Sequence, residues 1–148
     1  MENGLHWFLR LSLAAINLGA ALGKALDLPG FVQVLETYQL FPAWSWWPLA
    51  LAAVVGEGVL GVWLLSGWRL EMAAWVCALV AAAYGVVLTV TLLRGIELQN
   101  CGCFGVFLAR KLTWHSPLED VAMFAASGLL AVLAWRRISV IPETPGRS

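Results

Sequence analysis

The sequence predicts an all-α fold: a bundle of four transmembrane helices with a short amphipathic interfacial helix between spans 1 and 2. Three observations carry this prediction. Of the 148 residues, 61% are hydrophobic and 12% charged, and nine are tryptophan; with a mean hydropathy of +0.80, this balance is foreign to water-soluble domains. Four apolar stretches recur, each near the roughly 20 residues that cross a hydrocarbon core at ~1.5 Å per residue. Between the first two, apolar side chains repeat at helical spacing in an otherwise polar segment. The lipid bilayer is therefore the first expected partner. A formal net charge of zero and the lack of any basic run argue against nucleic acid.

The first span is expected from His6 to Leu26, with Arg10 and Lys24 near opposite ends, where long side chains can snorkel towards water. Met1-Glu2-Asn3 supplies no basic leader, and Lys24 stands where a small-residue cleavage site would be needed, so this stretch reads as a span rather than a signal peptide. Ala15, Gly19 and Gly23 form a small-residue stripe suited to close packing against another helix. In the loop from Asp27 to Ser45, Phe31, Val34, Leu35 and Tyr38 fall on one helical face and Gln33, Glu36 and Thr37 on the other. A short helix lying on the membrane surface follows from that pattern. The second span, Trp46 to Trp68, ends in tryptophans that suit interfacial belts and carries one charge, Glu57, near its middle. Met72 to Leu93 is the clearest span, about 22 residues without a charge. The fourth is announced by Ser116-Pro117-Leu118-Glu119, an N-cap serine, a first-turn proline and a capping-box glutamate, and is closed by Arg136 and Arg137. Residues 1–137 thus read as one membrane domain and 138–148 as a short disordered tail.

Chemistry is expected at Cys101-Gly102-Cys103-Phe104-Gly105, two thiols one glycine apart on a polar segment between two spans. Three cysteines in all are too few for a disulfide scaffold. A disulfide between residues i and i+2 closes a small, strained ring and is correspondingly easy to reduce. Gly102 lets the backbone bring the sulfurs together. Cys101 and Cys103 are the expected catalytic pair, with Gly102, Phe104 and Gly105 shaping the loop. Exchange needs a thiolate, and the cations available to favour one are Arg94, Arg110, Lys111 and the positive end of the fourth helix. His115 is a candidate proton acceptor or, with the thiols, a soft-metal ligand. Glu57 at mid-membrane depth needs a partner or a proton, and Lys24 and Arg10, each about two turns away in depth, are the candidates to reach it. Cys77 lies roughly 25 Å below Arg94 by helix rise and is expected to pack rather than react. Tyr38, Tyr84 and Thr89 are hydroxyls that a quinone head group could use.

Charge counts on the two faces are nearly balanced, so orientation rests on chemistry. A strained dithiol working as a disulfide carrier belongs on the oxidising side of a bacterial inner (cytoplasmic) membrane, with both termini cytoplasmic and the cysteine loop outside.

The pattern resembles the methylamine-utilisation MauE family of membrane proteins, within the wider DoxX-like group. The residues that carry the resemblance are Gly23-Lys24-Ala25-Leu26-Asp27, Tyr38 and Pro42, Glu57-Gly58, Leu93-Arg94-Gly95, and above all Cys101-Gly102-Cys103-Phe104-Gly105. They cover most of the chain from Arg10 to Trp135. The resemblance implies a four-helix membrane bundle associated with thiol-disulfide handling for secreted proteins, beside a thioredoxin-like periplasmic partner. In the methylamine system it is tied to maturation of the disulfide-rich dehydrogenase subunit. A looser similarity, to four-helix oxidoreductases of the DsbB and vitamin K epoxide reductase kind, makes quinone the candidate cofactor. The chain departs from those proteins in lacking a second outward-facing cysteine pair, so the pair at Cys101 and Cys103 must meet its partner directly. The leading expectation is a thiol-disulfide oxidoreductase or electron relay. A non-catalytic assembly factor and a soft-metal carrier are the alternatives.

Overall fold

The computed structural model describes residues 2–139. Five α-helices follow in order: α1 (Glu2–Leu26), α2 (Leu28–Thr37), α3 (Trp46–Ser66), α4 (Leu70–Leu93) and α5 (His115–Ser139), with a 3₁₀ turn at Ala43–Ser45 before α3. No strand occurs among the described residues. Four stretches are long and apolar enough to cross a membrane: Gly4–Leu26, Ala43–Ser66, Leu70–Leu93 and His115–Arg137. Of the tail expected at 138–148, residues 138 and 139 continue α5 and the remainder lies outside the described residues.

The spans pack chiefly as two pairs, α1 on α3 and α4 on α5, with α1 also meeting α5. Lipid tails are as apolar as leucine, so contact between helices depends on close packing rather than on water exclusion. Small residues provide it. Gly61 of α3 lies so close to α1 that a Cβ there would come 2.6 Å from Leu18 Cγ. Towards the end of the bundle that holds the start of the first span and the end of the last, Leu13, Ala14, Leu60, Leu64, Ala73, Ala74, Leu130 and Ala131 draw all four spans into one buried cluster. Large apolar side chains such as Phe8, Val59, Leu79 and Val121 remain on the outside, where hydrocarbon is the expected neighbour. Gly67, at φ +71°, ends α3 and turns the chain into α4 within three residues.

The opposite end is closed by α2 and the loop at 94–114. Asp27 caps α2, its carboxylate accepting from Gly30 N at 2.9 Å. The apolar face foreseen for this helix is present, and Val32 joins it. That face is turned inward: Phe31, Val32, Val34 and Tyr38 are buried with Leu88, Leu98, Cys101 and Leu112 in a second cluster, while Gln33, Glu36 and Thr37 are exposed. The start of the last helix differs from the capping-box reading. It begins at His115, and the Glu119 carboxylate instead takes a two-pronged contact from Arg110, at 2.7 and 3.1 Å.

Candidate dithiol site

The segment after α4 is fixed by hydrogen bonds at each turn. Leu112 N donates to Leu98 O and Cys101 N to Arg110 O, both at 2.9 Å, drawing the two limbs of the loop together. Between them Asn100 Oδ1 accepts from Gly102 N at 2.9 Å, and Gly105 N donates to Gly102 O at 3.1 Å. Gly102 and Gly105 take φ of +70° and +73°, conformations that only glycine adopts without penalty. Gly102 has a second reason to be glycine, since a Cβ would press on Val34 and Phe31 of α2. Tyr38 OH donates to Cys101 O at 2.5 Å, so α2 holds the loop from above.

The small-residue stripe on α1 receives this loop rather than a helix. A Cβ on Gly23 would collide with the Phe104 carbonyl, and one on Gly105 would collide with that of Gly23. Gly19 faces the Phe104 ring, while Ala15 is exposed. The expectation of helix-against-helix contact along the stripe is corrected accordingly, because backbone lies directly on backbone where two glycines meet.

The consequence is a close pair of free thiols. Cys101 Sγ and Cys103 Sγ are 3.0 Å apart, and both cysteines are unpaired as disulfides. Cys101 is buried and Cys103 retains exposed surface. A hydrogen bond from the Cys103 thiol, reinforced by the Arg110 guanidinium, holds Cys101 below the ordinary thiol range, at about 6. The same hydrogen bond, with burial and the Asp120 carboxylate, pushes Cys103 up. The hydrogen bond thus favours the proton on Cys103 and the thiolate form on Cys101. Burial also raises the Tyr38 phenol, which keeps its proton and remains a donor to the loop.

Glu57 and Lys24 form a buried ion pair below the loop, with side-chain exposures of 4% and 3%. Lys24 Nζ donates to both carboxylate oxygens, at 2.5 and 2.7 Å, and Tyr84 OH donates to Oε1 at 2.6 Å. The ammonium also lies 5.3 Å from the Tyr84 ring and 5.5 Å from that of Phe31. Of the two candidates to meet Glu57, Lys24 does. Arg10 turns to the far end of α3, donating to Leu64 O at 2.8 Å and Leu65 O at 2.5 Å and covering the Trp7 ring.

A cavity of about 370 Å³ runs between the ion pair and the thiols. Cys101, Cys103 and Phe104 line it at one end, Lys24, Glu57 and Tyr84 beneath them. Asp120 of α5 lines it as well; its Oδ2 is buried and accepts no hydrogen bond from a described residue. Sequence reasoning missed Asp120. The signal was an acidic residue inside the fourth apolar span, obscured by its neighbour Glu119 at the expected helix start.

The other expected residues lie apart. Arg94 is exposed and donates to Gln39 O at 3.0 Å; Arg110 is the basic loop residue that acts on Cys101. Lys111 reaches Glu97 at 3.6 Å on the surface. His115 is exposed at the start of α5, and among the described residues no three or more His, Cys, Asp or Glu cluster as metal ligands. Cys77 packs in the core, 1% exposed, with Asn17 Nδ2 at 3.5 Å from its sulfur. Thr89 spends its hydroxyl on Gly85 O.

Comparison with known proteins gives a consistent result. The family model described as "Methylamine utilisation protein MauE" matches residues 2–136. A methylamine utilization protein MauE of Paracoccus versutus is 28% identical over 143 residues, which cover 96% of this chain and 73% of that protein. One of the same description from Paracoccus denitrificans is 27% identical over 125 residues, 84% of this chain and 67% of its own length. No solved structure gives a significant match.

Proposed function

The chain belongs to the methylamine utilisation MauE family, and from that premise we propose that it is a membrane-embedded thiol-disulfide relay. It serves a thioredoxin-like partner outside the bacterial inner membrane, or the maturation of a secreted enzyme in methylamine utilisation. The observation that carries the reading is the 3.0 Å approach of the two sulfurs, with the thiolate form favoured on Cys101 by the Cys103 thiol and Arg110.

Exposure and acidity assign different tasks to the two cysteines. In the oxidised form a partner thiolate attacks Cys103, the cysteine that retains exposed surface. The Cys101–Cys103 bond breaks and Cys101 leaves as thiolate, the better leaving group because it is the weaker base. The partner's second thiolate then attacks the mixed disulfide, the partner departs oxidised, and Cys103 takes up a proton. Two electrons have moved from the partner's dithiol to this one. In the reverse direction Cys101 is the resolving nucleophile.

The test is non-reducing electrophoresis of membranes carrying Cys101→Ser or Cys103→Ser, with mass spectrometry of any adduct. Both variants lose turnover, and Cys101→Ser accumulates a mixed disulfide between Cys103 and an oxidised partner, because Cys101, which resolves that intermediate in the reverse direction, is gone. Full activity of both variants and no adduct would sink the relay in favour of an assembly factor. The same reading places the dithiol loop outside the cytoplasm and both termini inside. An impermeant maleimide applied to intact, mildly reduced cells then labels the loop, whereas labelling only after the membrane is opened would reverse the topology.

A further inference from the structure

We propose that the cavity beneath the thiols is a binding site for a quinone head group, which takes the electrons from the reduced pair; the inference rests on the relay reading. Four observations converge on that class of ligand. The cavity lies among the membrane-spanning helices and is walled mainly by apolar side chains such as Ile16, Leu49, Val80 and Met123, so its occupant must dissolve in hydrocarbon. Its volume, about 370 Å³, falls within the ~300–1,000 Å³ of small-molecule sites. Cys101 and Cys103 both line it. Its polar groups are few and convergent, as in sites that orient a ligand.

Those polar groups suit a ligand that alternates between carbonyl and hydroxyl. Lys24 gives protons to the two oxygens of Glu57 and has a third to donate. Tyr84 stands at the same carboxylate. Asp120 Oδ2, buried and without a hydrogen bond, can accept one from a hydroxyl but gives nothing to a hydrocarbon chain. A lipid tail would leave the third Lys24 proton and Asp120 Oδ2 unused.

The reaction balances with one proton taken from water. Closing the disulfide from the Cys101 thiolate and the Cys103 thiol breaks one S–H bond, forms one S–S bond and releases two electrons and one proton. Reduction of a quinone to its quinol consumes both electrons, that proton and the second one from water, and forms two O–H bonds. A partner dithiol oxidised on the outer side is thus coupled to a quinone reduced within the membrane.

Fully reduced protein in lipid nanodiscs, titrated anaerobically with ubiquinone-1, tests the assignment. We expect one quinol for each disulfide, with saturation, and direct binding of ubiquinone-1 to the Cys101→Ser/Cys103→Ser double variant, which cannot turn over. In that background Ala53→Leu grows into the cavity one turn before Glu57, and Tyr84→Phe removes a hydroxyl while keeping shape; each should weaken binding about tenfold or more. If neither folds, an azido-ubiquinone photolabel on the unmodified protein decides by its attachment to α3 and α4 around Glu57 and Tyr84 or elsewhere. No saturable binding, binding indifferent to both substitutions, or a retained phospholipid that ubiquinone-1 does not displace would overturn the site. Hydroxyethyl disulfide keeps the two readings apart: thiol exchange with it but no oxidation by quinone refutes the cavity assignment alone, whereas quinone binding without any thiol exchange refutes the relay.

Discussion

Replacing Lys24 by methionine leaves Glu57 as an unpaired carboxylate 4% exposed, with Tyr84 as its remaining donor. The geometry sets the scale. Two charge-assisted hydrogen bonds from Nζ are lost, and breaking one side of a buried ion pair destabilises by about 3–5 kcal/mol. Glu57→Gln makes the complementary break: it keeps the volume and an acceptor for Tyr84 but strands the ammonium, at a cost of about 3 kcal/mol. The double variant Lys24→Met/Glu57→Gln strands neither charge, so it should recover about 2 kcal/mol or more relative to the sum of the single changes. The assay is thermal and denaturant unfolding in detergent, followed by tryptophan fluorescence, alongside the amount of folded protein in membranes. Single variants that each lose less than about 1 kcal/mol, with no coupling in the double, would refute a structural ion pair. Normal abundance with weakened turnover in Glu57→Gln would instead assign the carboxylate to proton handling.

The acidity of Cys101 predicts a pH profile: its alkylation rises through about pH 6 and then levels, because the depressed thiol is already ionised above that point. Cys103→Ala, which removes the donor, should move the midpoint upward most and Arg110→Ala by less, in the order of their influence on Cys101; wild-type alkylation still climbing between about pH 7 and 9, as an ordinary thiol does, would contradict the thiolate assignment. Gly23→Ala drives a methyl into the Phe104 carbonyl and should destabilise by about 1–3 kcal/mol, with faster amide exchange at 101–105; unchanged exchange would show that the backbone contact does not hold the loop. Tyr38→Phe leaves the buried Cys101 carbonyl without its donor and should destabilise by about 1–3 kcal/mol, measured by the same unfolding assay, with no loss expected if water takes the hydroxyl's place.

The spans were legible because each apolar run matches a bilayer in length, and Glu57 was legible because a charge in such a run demands an explanation. Its partner was not. Lys24 and Arg10 were equivalent on paper, and only the pairing of α1 with α3 brings Lys24 to the carboxylate and sends Arg10 to the carbonyls of Leu64 and Leu65. The apolar stripe of α2 was likewise readable from its spacing, but periodicity does not say what a stripe faces, and here it covers the dithiol loop. Gly19 and Gly23 announced close packing without naming the neighbour. Which cation would act on the thiolate depended on the path of residues 94–114, whose hydrogen bonds bring Arg110 to Cys101 and leave Arg94 at Gln39. Asp120 lay in plain view, hidden by the more familiar role assigned to Glu119.

The placement of the ion pair bears on how the chain enters the membrane. Lys24 belongs to α1 and Glu57 to α3, both in the half that leaves the ribosome first, whereas Tyr84 belongs to the half that follows. A hairpin of those two spans can therefore neutralise its own charges while it partitions into lipid, when either alone would face a penalty of about 2.5–3.5 kcal/mol at the centre of the bilayer. The later half brings no basic or acidic residue between Met72 and Leu93 and can dock against a finished first hairpin. The Lys24–Glu57 pair thus waits for no partner still to be synthesised, and the order of residues along the chain becomes part of how the bundle is built.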